Sequence, residues 1–209
     1  MKKLVLLLTA LTVLVTADTL CAVADEGFVP LFNGKDLAGW KLRNPKGHNC
    51  WSITPDGVLQ NTVPKGEHGT DLVTTQKYWN FTVRYDFMVP DNSNSGFYLR
   101  GRHEIQVVGD YKGDKKPSPG SNGAIYGFKK PDVFASKPAD EWQTCEATII
   151  GDKITVILNG QKIHDNVTCR RATGSEIDNK VDEPGPIFLQ GDHGTVSFRN
   201  LRIKELPKE

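Results

Sequence analysis

The run Trp79-Asn80-Phe81-Thr82-Val83-Arg84-Tyr85-Asp86-Phe87-Met88-Val89 alternates apolar and polar side chains almost throughout. Successive side chains of a strand point to opposite faces, so Trp79, Phe81, Val83, Tyr85, Phe87 and Val89 share one face. Asn80, Thr82, Arg84 and Asp86 share the other. The stretch therefore reads as one long strand with one face on a core and the other in water. The same period of two recurs along the chain, and no helical stripe of useful length follows the first residues.

Turn chemistry divides the rest. Asp56-Gly57 lies between Trp51-Ser52-Ile53 and Val58-Leu59-Gln60, and Asn159-Gly160 lies between Ile154 to Leu158 and Gln161 to His164. Both are hairpin signals. With Gly151-Asp152 as a further two-residue turn, residue 145 pairs with 158, 147 with 156 and 149 with 154. Cys145, Ala147, Ile149, Ile154, Val156 and Leu158 then fall on one face, which predicts a three-stranded meander. Near the end, Val196 and Phe198 alternate out of phase with Leu201 and Ile203, so a bulge is expected at Arg199 to Asn200. About a dozen short strands without helices predict two packed antiparallel sheets, an all-β sandwich or jelly roll. The Gly-, Pro- and charge-rich stretches Asp110 to Gly123 and Thr173 to Gly185 read as long surface loops of the kind that border binding sites.

The first residues are read as a leader. Lys2 and Lys3 precede an apolar run from Leu4 to Ala17, too short to span a bilayer, and Ala22-Val23-Ala24 offers a cleavage site. Residues 1–24 are thus expected to be a signal peptide and residues 25–209 a single domain, secreted or periplasmic, beginning at Asp25. Leu20 before Cys21 argues against lipidation. The chain has 26 Lys and Arg against 25 Asp and Glu; the leader holds two lysines and one aspartate, so the mature chain is neutral. That gives no electrostatic case for nucleic acid or anionic membrane. Cys50, Cys145 and Cys169 match no zinc spacing. In the predicted meander Cys145 and Cys169 are too far apart for a disulfide, and Cys145 reads as a buried thiol.

The segment Asn94 to Val108 reads as a hairpin with two possible registers. A two-residue turn at Gly101-Arg102 mixes polar and apolar faces. A three-residue turn with Gly101 at positive φ pairs Arg100 with Glu104 and Tyr98 with Gln106, and leaves Phe97, Leu99, Ile105 and Val107 on a wholly apolar face. Burial favours the second. Its polar face carries Tyr98, Arg100, Glu104 and Gln106, with Gly96 leaving space beside them. A solvated Arg/Glu pair would look like this, and so would a sugar site with an aromatic platform, planar donors and acceptors and a carboxylate. A second cluster follows in Gln190-Gly191-Asp192-His193-Gly194, where a glycine-flanked Asp-His closes a strand; such a His can carry protons or bind metal. His48, His68, His103 and His164 read as structural. No nucleophile elbow, phosphate-binding glycine loop or His-Glu-x-x-His occurs. Glu104-Ile105-Gln106 has Gln106 and Gly109 where the Glu-x-Asp-x-x-Glu strand of jelly-roll glucanases has carboxylates, so this strand supplies one carboxyl where a retaining glycosidase needs two.

The sequence Phe28-Val29-Pro30-Leu31-Phe32-Asn33-Gly34-Lys35-Asp36-Leu37-Ala38-Gly39-Trp40 resembles the opening signature of the 3-keto-disaccharide hydrolase domain family. Asn94-Ser95-Gly96 through Arg100, Glu104-Ile105-Gln106, Glu141-Trp142, Leu158-Asn159-Gly160, and Gly185 to Gln190 through Phe198-Arg199-Asn200 match it in order. The resemblance spans nearly all of the mature chain. It implies a concanavalin-like jelly roll and a substrate that is a glycoside oxidised to a ketone at C3. Such a ketone acidifies the C2 proton, so one base can start an elimination that expels the C1 oxygen, and water can add afterwards. The roles expected are Glu104 as base, Arg100 or a divalent metal at the enolate oxygen, and His193 as acid. Asn94, Tyr98, Gln106, Gln190 and Asp192 are expected to contact the sugar. The competing readings are a non-catalytic carbohydrate-binding module and an ordinary glycosidase pairing Glu104 with Asp192 or Glu146.

Overall fold

A computed structural model describes residues 27–208, so the leader, its cleavage site and Cys21 lie outside the described residues. Thirteen strands and no helix occur among the described residues. They are β1 (Val29–Pro30), β2 (Trp40–Leu42), β3 (Trp51–Ile53), β4 (Leu59–Thr62), β5 (Leu72–Thr74), β6 (Phe81–Met88) and β7 (Asn94–Leu99). There follow β8 (His103–Val108), β9 (Gln143–Ile150), β10 (Lys153–Leu158), β11 (Gln161–Thr168), β12 (Phe188–Leu189) and β13 (Thr195–Glu205).

The larger antiparallel sheet runs β11-β10-β9-β6-β13-β4-β3, with β1 also on β13; the smaller runs β2-β5-β12-β7-β8. The two pack into an all-β jelly-roll sandwich. Strand β6 buries Phe81, Val83, Tyr85 and Phe87, as its alternation predicts, but it begins at Phe81: Trp79 lies before it, partly buried against Arg100, and Asn80 is buried. Phe97, Leu99, Ile105 and Val107 face them from the smaller sheet, all buried. Tyr85 and Phe97 stack across the gap at 4.0 Å and 3°. Burying each such side chain stabilises the fold by about 1.5–3 kcal/mol.

The meander has the predicted register, with Cys145 against Leu158, Ala147 against Val156 and Ile149 against Ile154. Cys145 is buried, and burial pushes its thiol up to about 12. Cys50, Cys145 and Cys169 are all free thiols. The bulge falls where the alternation slips, between Arg199 and Arg202, with Asn200 at a φ of 54°. The hairpin at Asp56-Gly57 forms with a longer connection, because Ile53 pairs with Leu59.

The β7–β8 hairpin corrects the expected register. Tyr98 lies opposite Glu104, Leu99 opposite His103 and Gly96 opposite Gln106. Both Arg100 (φ 54°) and Gly101 (φ 66°) are left-handed, and the Arg102 amide donates to the Leu99 carbonyl at 3.1 Å. With two left-handed residues the three-residue connection is Arg100 to Arg102 instead of the expected Gly101 to His103, so each partner moves by two positions. A shift of two preserves the faces, and for that reason the apolar side was still assigned correctly.

Candidate functional site

The shifted turn decides what happens to Arg100, which now lies within it. Its side chain leaves the polar face and runs to the sheet edge, where Nε donates to the Trp79 carbonyl at 2.6 Å and Nη1 to the Gly151 carbonyl at 2.8 Å. The guanidinium lies 3.6 Å from the centroid of the Trp79 ring. A left-handed arginine costs about 1–2 kcal/mol, and these contacts offset it. Arg100 is therefore not opposite Glu104 and does not line the pocket described next.

On the outer face of the smaller sheet, a cavity of about 190 Å³ is lined by Asn94, Tyr98, Glu104, Gln106, Tyr126, Ser175, Gln190, Asp192 and His193. The structure thus brings together every proposed site residue except Arg100, from two segments about ninety residues apart. Larger hollows lie elsewhere; that of about 320 Å³ on the larger sheet holds the Arg84–Glu146 ion pair at 2.6 Å. Glu146 is on the opposite sheet from Glu104, so the two cannot flank one glycosidic bond. The smaller cavity is the candidate site because a buried carboxyl, an exposed imidazole and three carboxamides meet there.

Glu104 is 3% exposed. Its Oε2 accepts from the Tyr98 hydroxyl at 2.8 Å. With its amide turned to satisfy both neighbours, Gln106 donates to Glu104 Oε1 at 2.9 Å and to the Ser95 carbonyl at 3.1 Å, giving up a long contact to Gly120. Burial pushes the Glu104 carboxyl up to about 7, helped by the charge of Asp192 and opposed by the Tyr98 hydrogen bond. The Gln106 amide opposes it as well, by stabilising the carboxylate. A glycine at position 96 is required here, since a Cβ would overlap the Glu104 side chain. The Glu104 backbone is pinned on both sides: its amide donates to Thr173 Oγ1 at 2.9 Å, and its carbonyl accepts from the Tyr126 amide at 3.1 Å.

The Tyr98 ring is fully buried and stacks on Phe188 at 4.1 Å. It therefore holds Glu104 and does not offer the sugar platform that the sequence suggested. Arg43 covers Phe188 at 5.0 Å and donates to the carbonyls of Ser175 and Glu176, both at 2.8 Å, which ties the 173–185 loop to the sheet.

The Asp192-His193 turn is equally constrained. Asp71 Oδ1 accepts from the Gly191 amide at 2.9 Å, the Gly69 amide donates to the Asp192 carbonyl at 2.9 Å, and Asn61 donates to the carbonyls of Gly191 and Gly194. Burial raises the Asp71 carboxyl above its ordinary value, partly offset by the Gly191 hydrogen bond. His193 Nδ1 lies 2.7 Å from Asp192 Oδ1. The Gln190 Oε1 is buried without a protein partner, an acceptor left for a ligand. Among the described residues no group of three His, Cys, Asp or Glu is placed to hold a metal ion.

Sequence reasoning missed Tyr126 and Ser175 at the wall, and Arg43, Asn61, Asp71 and Thr173 behind it. Of the two loops expected to border a site, 173–185 supplies Ser175 and Thr173, whereas 110–123 lines no part of this cavity; the other residues carry no local signal. His103 and His164 are buried structural residues as expected, each held down to about 4, mainly by burial.

The sequence profile of the 3-keto-alpha-glucoside-1,2-lyase-like domain matches residues 27–204. The chain belongs to this family. Among solved structures, a candidate glycosyl hydrolase from Parabacteroides distasonis is similar at 30% identity and a TM-score of 0.69, over 87% of this chain and 84% of that one. A second from the same organism is 24% identical with a TM-score of 0.68, covering 93% and 99%. A Bacillus licheniformis beta-glucanase shares the fold at 15% identity, with a TM-score of 0.52 over 86% and 97%. No curated protein matches. Membership of the 3-keto-alpha-glucoside-1,2-lyase-like family gives the domain a carbohydrate-related, glycosidase-like role. No helix among the described residues is long and apolar enough to cross a membrane.

Proposed function

We propose that the protein cleaves the glycosidic bond of 3-keto-glycosides by elimination followed by hydration. The observation that carries this reading is Glu104: a buried carboxyl tuned toward neutrality, with each oxygen held by a donor. Glu104 takes the C2 proton; the C2 electron pair forms the enolate with its charge on the C3 oxygen. The enolate then expels the C1 oxygen, to which His193 gives a proton. Water adding across the C1–C2 double bond returns the free 3-keto sugar. Asp192 Oδ1 lies beside Nδ1 at 2.7 Å, which leaves Nε2 to deliver the proton. With Arg100 outside the pocket, the Asn94 carboxamide is the neutral donor assigned to the enolate oxygen, and Gln190 Oε1 is left to accept from a sugar hydroxyl.

An ordinary glycosidase would need a second carboxyl acting on the same bond, whereas the pocket's other carboxyl, Asp192, sits 2.7 Å from His193 Nδ1. The test compares a 3-keto-glucoside with its unoxidised parent. Cleavage of the ketone alone is expected. Equal cleavage of both would refute the elimination mechanism, and binding of both without cleavage would make the domain a carbohydrate-binding module.

A further inference from the structure

The cavity of about 190 Å³ falls below the range of about 300 Å³ and upward that encloses drug-sized ligands. It suits one sugar ring, which leaves the group on the C1 oxygen outside. Of the two aromatic residues at the wall, Tyr98 is shut off by Phe188 and committed to Glu104. Tyr126 is 40% exposed, and Phe128, also on the surface, follows two residues later.

This exposed aromatic is rigidly mounted. The Tyr126 amide donates to the Glu104 carbonyl at 3.1 Å, the Gly127 amide to the Pro119 carbonyl at 2.9 Å, and the Phe128 amide to the Ile125 carbonyl at 2.9 Å. Gly127 reverses the chain at a φ of 60°. Arg171 donates to the Gly127 carbonyl at 3.0 Å and lies 5.2 Å from the Phe128 ring centroid. A tyrosine on a backbone held this way has only two side-chain torsions left to fix, so a ligand stacking on its ring orders little.

Resting on the 3-keto-glycoside reading, we infer that Tyr126 is the specificity-determining platform on which a ring carried by the C1 oxygen stacks. The ketone-bearing ring enters the cavity, and the second ring stacks on Tyr126.

The test measures binding to Glu104→Gln protein, with and without Tyr126→Ala or Tyr126→Phe, by calorimetry. The probes are methyl 3-keto-glucoside, with one ring, and phenyl 3-keto-glucoside, with two. Tyr126→Ala is expected to weaken the two-ring ligand about two- to tenfold and leave the one-ring ligand unchanged, with Tyr126→Phe close to the parent. Equal weakening of both ligands, or of neither, would overturn the platform. Failure of both ligands to bind any of the proteins would overturn it together with the sugar-site reading. Cleavage by the Glu104→Gln protein would contradict the base assignment alone and leave the ring comparison standing.

Discussion

Replacing Glu104 by glutamine separates catalysis from stability in a way that this site makes unusual. The amide keeps the shape beside Gly96 but cannot accept the C2 proton, so turnover of a 3-keto-glucoside should fall about a hundredfold to ten-thousandfold. Stability should move the other way. Burial raises the carboxyl from 4.5 to about 7, so the folded state holds its proton more tightly than the unfolded chain does. That favourable contribution is complete below about pH 4.5 and is lost as pH rises through 7; at pH 8 the buried charge costs on the order of 3 kcal/mol. The Gln106 amide reduces that cost. Glu104→Gln should therefore melt within a degree or two of the parent at pH 5 and higher than it at pH 8, by about 2–4 °C for each kcal/mol recovered. Initial rates at pH 8, together with melting curves of both proteins from pH 5 to 8, are the assay. Full activity would remove Glu104 from the mechanism. A large loss of melting temperature at every pH would make it a structural residue.

Because only the ionised Glu104 accepts a proton, kcat/KM for the parent protein should rise with pH from 5 through about 7; a flat profile over that range would contradict the base assignment. Arg100→Ala should cost about 2–4 kcal/mol, by removing the Trp79 stack and orphaning buried carbonyls, while kcat/KM per folded molecule stays near that of the parent, which activity normalised to the folded fraction would check. Gly96→Ala should cut turnover more than tenfold by displacing the Glu104 side chain, with a modest change in melting temperature, and unaltered kinetics would show that the carboxyl position is not critical. N-terminal sequencing of exported protein should give Asp25 as the first residue; an intact Met1 would refute the leader reading.

The alternation in Trp79 to Val89 and the turns at Gly151-Asp152 and Asn159-Gly160 determined strands, faces and the meander register. Period and turn type are local properties, and the burial of one face leaves little freedom in how they combine. The polar identities of Glu104, Gln106, Gln190 and His193 were legible for the same reason, since each interrupts or terminates an apolar pattern. The pairing across Arg100-Gly101 was not. Whether a non-glycine residue adopts positive φ depends on what rewards it, and here the reward is contact with Trp79 and Gly151, which come from the segment before β6 and the β9–β10 turn. Tyr98 offers a parallel case: its place opposite Glu104 follows from register, but its loss as a platform depends on Phe188, ninety residues further on. Convergence of the two polar segments, the Asp71 and Asn61 clasp on the Asp192-His193 turn, and the mounting of Tyr126 all arise from contacts distant in sequence. Local chemistry determines which side chains are presented on which face; only the packing of strands remote in the chain decides which of those side chains meet.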